Sequence, residues 1–298
     1  MLEIRGLAKR FGGRVALQDV SFSVLRGSLF GLLGHNGAGK STTIGTVLGQ
    51  IHPDAGQVRV GGHDVFRERA AALSRVGAIF ETPSFYGYLS GRRNLEIFTA
   101  YSRICPRETL DQVIRRVGLS DRIEDRVDKY SHGMRQRLAL AQALLPDPEF
   151  LILDEPGDGL DPEGIAEMRE MITTLNRQDG MTILLCSHQL DEVRRMCREL
   201  AILREGELVF SGDWRELGHL ERAVEIRTDR TPESLRLLQD RRQLVLDGGV
   251  WLLGPGASLH ECARILVEAG HRLEHLAECG NDLEYFYLRQ TGARRKTS

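Results

Sequence analysis

The segment Gly34-His35-Asn36-Gly37-Ala38-Gly39-Lys40-Ser41-Thr42 constrains this chain more than any other. It follows an apolar run at Ser28 to Leu33 and opens a helical pattern through Thr43 to Leu48. Glycines at that spacing let the backbone curl until its N–H groups and a helix N-terminus face an anion. Lys40 can then reach β- and γ-phosphates, and the Ser41 hydroxyl can take a place on Mg²⁺, with Asn36, Gly37, Ala38, Gly39 and Thr42 completing the cradle. Strand, tight loop and helix in that order predict an α/β fold of the P-loop NTPase kind, with a mostly parallel sheet.

Two further apolar runs, Leu151 to Leu153 and Met181 to Cys186, read as strands buried on both faces, which calls for helices on both sides of the sheet. The first ends in Asp154-Glu155-Pro156, placing two carboxylates at the strand's C-terminal end, the edge where α/β sheets bind ligands. Asp154 is expected to hold the metal through water, and Glu155 to accept a proton from the water that attacks the γ-phosphate. A third segment, Tyr130-Ser131-His132-Gly133-Met134-Arg135-Gln136-Arg137, starts with a residue suited to cap the helix that follows.

Composition excludes other classes. The 40 Lys plus Arg are balanced by 42 Asp plus Glu for a formal charge of −2, so there is no overall basic field to hold nucleic acid. The apolar runs fall far short of the ~18 to 20 residues that cross a bilayer, and the opening MLEIRGLAKR has no secretory h-region, so the expectation is a cytoplasmic chain. Five scattered cysteines without a C-x-x-C pair read as small buried hydrophobes.

The chain parses into two domains, 1–217 and 218–298. Between about Thr82 and Pro148 a helical insert is expected, with helices at Arg92 to Cys105, Glu108 to Val117 and Met134 to Leu145. The second domain is a small α+β unit. Its strand at Ala223 to Thr228 precedes a helix at Pro232 to Gln239 capped by Thr231. A hairpin turning at Asp247-Gly248-Gly249 follows, then a helix from Ser258 to Ala269, a strand at Arg272 to Ala277 and a last amphipathic helix at Asp282 to Arg289. That order suggests a split βαβ unit, followed by a polar tail around Arg294, Arg295 and Lys296.

Phosphate loop, helical insert, Ser-x-Gly-Met-x-Gln-Arg, Leu-Asp-Glu-Pro, Gly-Leu-Asp-Pro and a strand ending in Ser-His occur in that sequence over residues 1 to 217. The combination resembles the ATP-binding subunits of ABC transporters. The resemblance implies ATP and Mg²⁺ as ligands, Phe11 stacked on adenine, and Glu155 and His188 as the catalytic pair. It further implies that Ser131 and Gly133 bind the γ-phosphate held by an opposite protomer, so that two ATPase chains, identical or homologous, work as a head-to-tail dimer. Asp161 would couple the two sites.

Three departures from the family pattern stand out. Glu81 occupies the place of a glutamine that senses Mg²⁺ and the membrane partner, His132 and Met134 alter the signature, and Asp158 stands where Asn is frequent. Of these, Glu81 and Met134, with the aromatic run Phe85-Tyr86-Gly87-Tyr88, look most like the branch that exports peptide antibiotics. The resemblance thus implies a motor that drives a separate membrane permease from the inner face of the membrane, with the three aromatics in the permease groove. A soluble ATP-switched relative without a membrane partner is the rival reading, and nutrient import a third. The rival usually carries two ATPase halves, a zinc-bearing insert or a basic surface, and none is visible here.

Overall fold

Apolar residues in this chain follow two patterns, continuous runs and strict alternation, and each builds a different sheet. The computed structural model describes residues 1–80, 84–102, 107–215, 223–247 and 250–279. The chain separates into two compact units, Met1–Gly212 and Asp213–Ser298, dividing slightly before the composition break at Leu217.

In the first unit, strands β1 (Leu2–Phe11), β2 (Arg14–Val24) and β3 (Leu29–Leu33) precede helix α1 (Lys40–Val47). Then come β4 (Ala55–Val60), β5 (His63–Asp64), α2 (Arg69–Leu73) and β6 (Val76–Ile79). The helices α3 (Gly91–Ser102), α4 (Arg107–Arg116) and α5 (His132–Leu144) form the insert. The unit closes with β7 (Phe150–Asp154), α6 (Pro162–Asp179), β8 (Thr182–Ser187), α7 (Leu190–Met196), β9 (Glu199–Arg204) and β10 (Glu207–Asp213).

The continuous runs form a six-stranded sheet ordered β10-β9-β3-β8-β7-β6, in which β9, β3, β8, β7 and β6 pair in parallel. The alternating segments form an antiparallel sheet, β2-β1-β4-β5. Helices lie on both faces of the large sheet, as expected, but on one face α1 shares the cover with the antiparallel sheet, which the sequence reading did not foresee. One face, carrying Phe30, Leu32, Phe150, Ile152 and Leu184, shares its core with Leu2, Ile4 and Leu7 of β1, Val20 and Phe22 of β2, and Ile44 and Val47 of α1. Alternation leaves each antiparallel strand one apolar face, and that face must find a partner. Phe22 stacks on Phe30 with centroids 5.7 Å apart. On the other face α7 comes so close that a side chain at Gly31 would meet Val193, and α5 so close that one at Gly77 would meet the Ala143 carbonyl.

The insert owes its form to amphipathic spacing. Leu110, Val113, Ile114 and Val117 recur at helical intervals and are buried. Arg92 ties α3 to its surroundings through Asp111 at 2.7 Å and Glu124 at 2.6 Å, and these carboxylates raise its guanidinium pKa further.

The second unit comprises β11 (Ala223–Thr228), α8 (Thr231–Asp240), β12 (Leu244–Asp247), β13 (Val250–Leu253), α9 (Leu259–Glu268) and β14 (Leu273–Cys279). Its sheet runs β12-β13-β11-β14 with every pairing antiparallel, the arrangement of a split βαβ unit. Val224, Ile226, Leu238, Leu244, Cys262, Ile265 and Leu266 form its core. Ser258 caps α9 by accepting the Glu261 N–H. Thr231 does not cap α8. Arg230 holds that place, and the Thr231 hydroxyl turns back to the Thr228 backbone, donating to its carbonyl at 3.1 Å and accepting from its N–H at 3.0 Å. Cys186, Cys197 and Cys262 are buried thiols, as small hydrophobes should be. Cys105, the turn glycines Gly248 and Gly249, the helix expected at Asp282 to Arg289 and the basic tail lie outside the described residues.

Phe150 is fully buried where β7 faces the antiparallel sheet. Phe150→Ala should lower unfolding free energy by about 3–5 kcal/mol, measured by chemical denaturation of the full chain.

Candidate functional site

Strand β3 ends at Leu33, and the chain then turns through Gly34 to Gly39 before α1 begins. No side chain fits at Gly34, because a Cβ there would lie 2.7 Å from the Leu203 carbonyl oxygen. Gly37 and Gly39 hold φ of 85° and 109°, conformations that L side chains rarely adopt. Gly39 is the N-cap of α1, and no side-chain oxygen caps that helix. Its first-turn N–H groups and the positive end of its dipole thus face outward, a ready anion site. The polar Thr43 and Thr46 are buried in α1 because each hydroxyl donates to a carbonyl of its own helix, Gly39 at 2.9 Å and Thr42 at 2.7 Å.

Lys40 is buried, and its ammonium donates to the Gly34 carbonyl at 2.7 Å and lies 3.5 Å from Glu155 Oε1. The other carboxylate oxygen of Glu155 lies 2.9 Å from His188 Nδ1 and accepts the His188 backbone N–H at 3.3 Å. Glu155 adopts a positive φ of 48°, an uncommon conformation for a non-glycine residue, and its N–H donates to the Cys186 carbonyl at 2.9 Å. A loop glycine carbonyl, a cation, a carboxylate and an imidazole are thereby linked in one chain of contacts. Beside it, burial and the adjacent Asp154 carboxylate push the Cys186 thiol well above its ordinary range.

Lys40 and Glu155 border a cleft of about 530 Å³ lined also by Phe11, Asn36, Gly37, Gly39, Ser41, Thr42 and Asp154, while His188 is not on its wall and meets it through Glu155. Arg14, Ala16 and His35 also line it, and the sequence reading missed all three. Alternation on β2 marks Arg14 and Ala16 as strand residues but carries no chemical signal. Phe11 is 50% exposed, with the Lys9 ammonium 5.4 Å from its ring centre, so its face is available for stacking. Ala38 is not on this wall. Its methyl is buried in the core and its N–H donates to the His35 carbonyl, because close packing against Gly34 turns it inward.

Ser131 and Gly133 stand apart from the cleft. Ser131 is the exposed N-cap of α5, accepting the Met134 N–H at 3.2 Å. Neighbouring His132 donates through Nε2 to the Asp158 carbonyl at 2.9 Å, so the two unusual residues His132 and Asp158 meet. Asp161 caps α6 by accepting the Gly164 N–H at 2.9 Å. Tyr86 and Tyr88 are exposed, whereas Phe85 packs edge-on against Phe98 at 6.1 Å. Glu81 lies outside the described residues.

A glycine loop ahead of an uncapped helix, with a lysine and paired carboxylates at the C-terminal edge of a parallel sheet, defines a P-loop nucleotide-binding protein. The sequence profile of the ABC transporter family matches residues 17–158. The chain is 46% identical over 209 residues to an uncharacterized ABC transporter ATP-binding protein, YhcH of Bacillus subtilis (strain 168), covering 70% of this chain and 68% of that protein. It is also 31% identical over 297 residues to the bacitracin transport ATP-binding protein BcrA of Enterococcus faecalis, covering 98% and 96% respectively. A solved ATP-binding subunit of an ABC transporter superposes with a TM-score of 0.65 at 28% identity, over 90% of this chain and 99% of that one. The chain belongs to the ABC transporter family as an ATP-binding subunit, an ABC-type ATPase.

Gly39→Ala tests the loop geometry. The new Cβ would lie 2.7 Å from Leu17 Cδ2 and 2.9 Å from the Ala16 carbonyl oxygen, at a φ that alanine resists. Strain of about 1–3 kcal/mol in the loop should weaken nucleotide affinity roughly tenfold or more, read by titration with a fluorescent ATP analogue.

Proposed function

We propose that this chain is the ATP-hydrolysing motor of an export system whose membrane-spanning part is a separate permease, and that the exported compounds are peptide antibiotics or related drugs. The observation that carries the motor reading is the linked contact from Lys40 through Glu155 to His188 beside the open N-terminus of α1. A triphosphate in the cleft competes with Glu155 for the Lys40 ammonium. Released from Lys40, the Glu155 carboxylate can accept a proton from the attacking water while His188 orients it. Phe11 offers its exposed ring to the adenine, and the loop from Asn36 to Thr42 offers its N–H groups to the phosphates.

Mg²⁺ fits the donors present. Ser41 and Asp154 bring hard oxygen donors to the same cleft wall. No group of three or more His, Cys, Asp or Glu side chains among the described residues could hold a metal unaided. A cation here therefore relies on phosphate oxygens and water, as Mg²⁺ commonly does, and it supplies charge neutralisation at the phosphates. We include Glu81 as a third contributor on the sequence pattern alone.

Head-to-tail dimerisation is supported by the position of Ser131 and Gly133, which are absent from the wall of the chain's own cleft while Ser131 is exposed at a helix N-terminus. Such a pair reaches the nucleotide of an opposite protomer. Among the described residues no helix is long and apolar enough to cross a membrane, which accords with a permease on another chain. The exposed Tyr86 and Tyr88 suit docking of that permease at the inner face of the membrane. Export of antibiotics is supported by similarity to the Enterococcus protein along nearly the whole chain, the second unit included.

Glu155→Gln should retain ATP binding and slow hydrolysis by roughly 10² to 10⁴, the usual worth of a general base, so that ATP traps a dimer. Size-exclusion chromatography with light scattering and a phosphate-release assay read both effects. A variant that stays monomeric with ATP and turns over at the wild-type rate would remove Glu155 from the mechanism. In cells carrying the chain and its permease, the same substitution should abolish resistance to the exported compound.

A further inference from the structure

A second carboxylate lies behind the catalytic pair. Glu192 sits in the first turn of α7, four residues beyond His188, and is only 8% exposed. Its charge interacts with Glu155, His188, Asp158 and Arg169, so it stands at the junction of the β7 end, the loop that follows, the β8 end and α6. Among the described residues its carboxyl makes no hydrogen bond or close ion pair. Burial pushes this carboxyl above its ordinary range, with Glu155 and Asp158 adding to the rise and Arg169 opposing it. Arg169 on α6 has a buried Nε–H that also finds no partner. Glu192 lies on α7 and Arg169 on α6.

The carboxyl has one close mechanical contact. Gly157 is buried two residues after Glu155, and a Cβ placed there would lie 2.8 Å from Glu192 Oε1 and 3.5 Å from both Cδ and Oε2. Those three atoms are the nearest to that position, and the φ of Gly157 is not in the left-handed region, so the Glu192 carboxyl is the obstacle to a side chain there. Glu192 therefore touches the backbone just beyond Glu155 while its own helix leads back to His188. Glu155 and His188 are themselves in contact at 2.9 Å.

We propose that Glu192 is a positioning residue for ATP hydrolysis: its carboxyl, packed against Gly157, holds the loop from Gly157 to Asp161 and the His188 segment in register with Glu155. The inference rests on the motor reading above. The Gly157 contact sets how far the loop can settle toward α7. Glu192 does not line the cleft.

Steady-state hydrolysis by the full chain tests this. Glu192→Gln keeps shape and removes charge, and it should lower kcat about tenfold while KM for ATP stays within about twofold and the melting temperature holds. Gly157→Ala should lower kcat by driving a methyl into the carboxyl, and Gly157→Ala combined with Glu192→Ala should lose less than the sum of the two single changes, because truncation makes room. Wild-type kcat in Glu192→Gln, a raised KM at unchanged kcat, or simple additivity in the double variant overturns the proposal. Absence of hydrolysis by the unaltered chain with Mg²⁺ and ATP overturns the motor reading instead, and this inference with it.

Discussion

The Lys40 ammonium, buried between the Gly34 carbonyl and the Glu155 carboxylate, is the interaction on which the rest of the site depends. A cation removed from water needs partners, and here they come from elements distant in sequence. Lys40 follows β3, Glu155 follows β7, and β8, lying between those strands, ends beside His188. Three parallel strands thus deliver a loop cation, a base and an imidazole to one sheet edge. Parallel pairing at that edge requires crossover connections, which α5, α6 and the insert occupy.

The opposite wall of the cleft depends on the second sheet. Phe11 and Arg14 flank the tight link between β1 and β2, and Ala16 follows on β2. The antiparallel sheet reaches the phosphate loop by a backbone chain. Gln18 N–H donates to the Gly206 carbonyl at 2.7 Å, and Gly206 N–H donates to the Ala38 carbonyl at 3.0 Å. A side chain at Gly206 would strike the Ala16 carbonyl oxygen at 2.7 Å, so glycine is required for this approach. Phe11 and the phosphate loop are therefore parts of one connected arrangement, although 22 residues separate Phe11 from Gly34, where the loop begins.

The loop after β7 links the chain's own site to the surface where a second protomer would meet it. His132, in the signature segment, donates to the Asp158 carbonyl, and Glu192 packs on Gly157 from the other side. Adjacent residues of this segment thus meet the helix whose N-cap is Ser131 and the helix that follows His188. Two departures from the family pattern, His132 and Asp158, prove to be contact partners. One change in the signature is matched by contact with the loop rather than left free at the surface.

Local spacing and the chemistry of single side chains sufficed for much of this protein. The phosphate loop, the Asp154-Glu155 strand end, the three helices of the insert and the hairpin unit were legible because glycine spacing, apolar periodicity and capping residues act within a few positions of chain. Lys40, Ser41 and Glu155 came from the same local signals and Phe11 from the family resemblance, and all four line one cleft. What sequence alone could not decide was long-range. It did not show that an antiparallel sheet joins α1 in covering one face of the core, because an alternating strand advertises an apolar side but not its partner. It did not show that the Ala38 methyl is buried in the core, since a loop's outward and inward side chains differ only once the loop is packed. It passed over Arg14 and Glu192, ordinary charged residues whose placement depends on contacts made across the fold. Short-range chemistry determined which residues could bind phosphate; close packing between distant strands decided which of them face it and what holds them there.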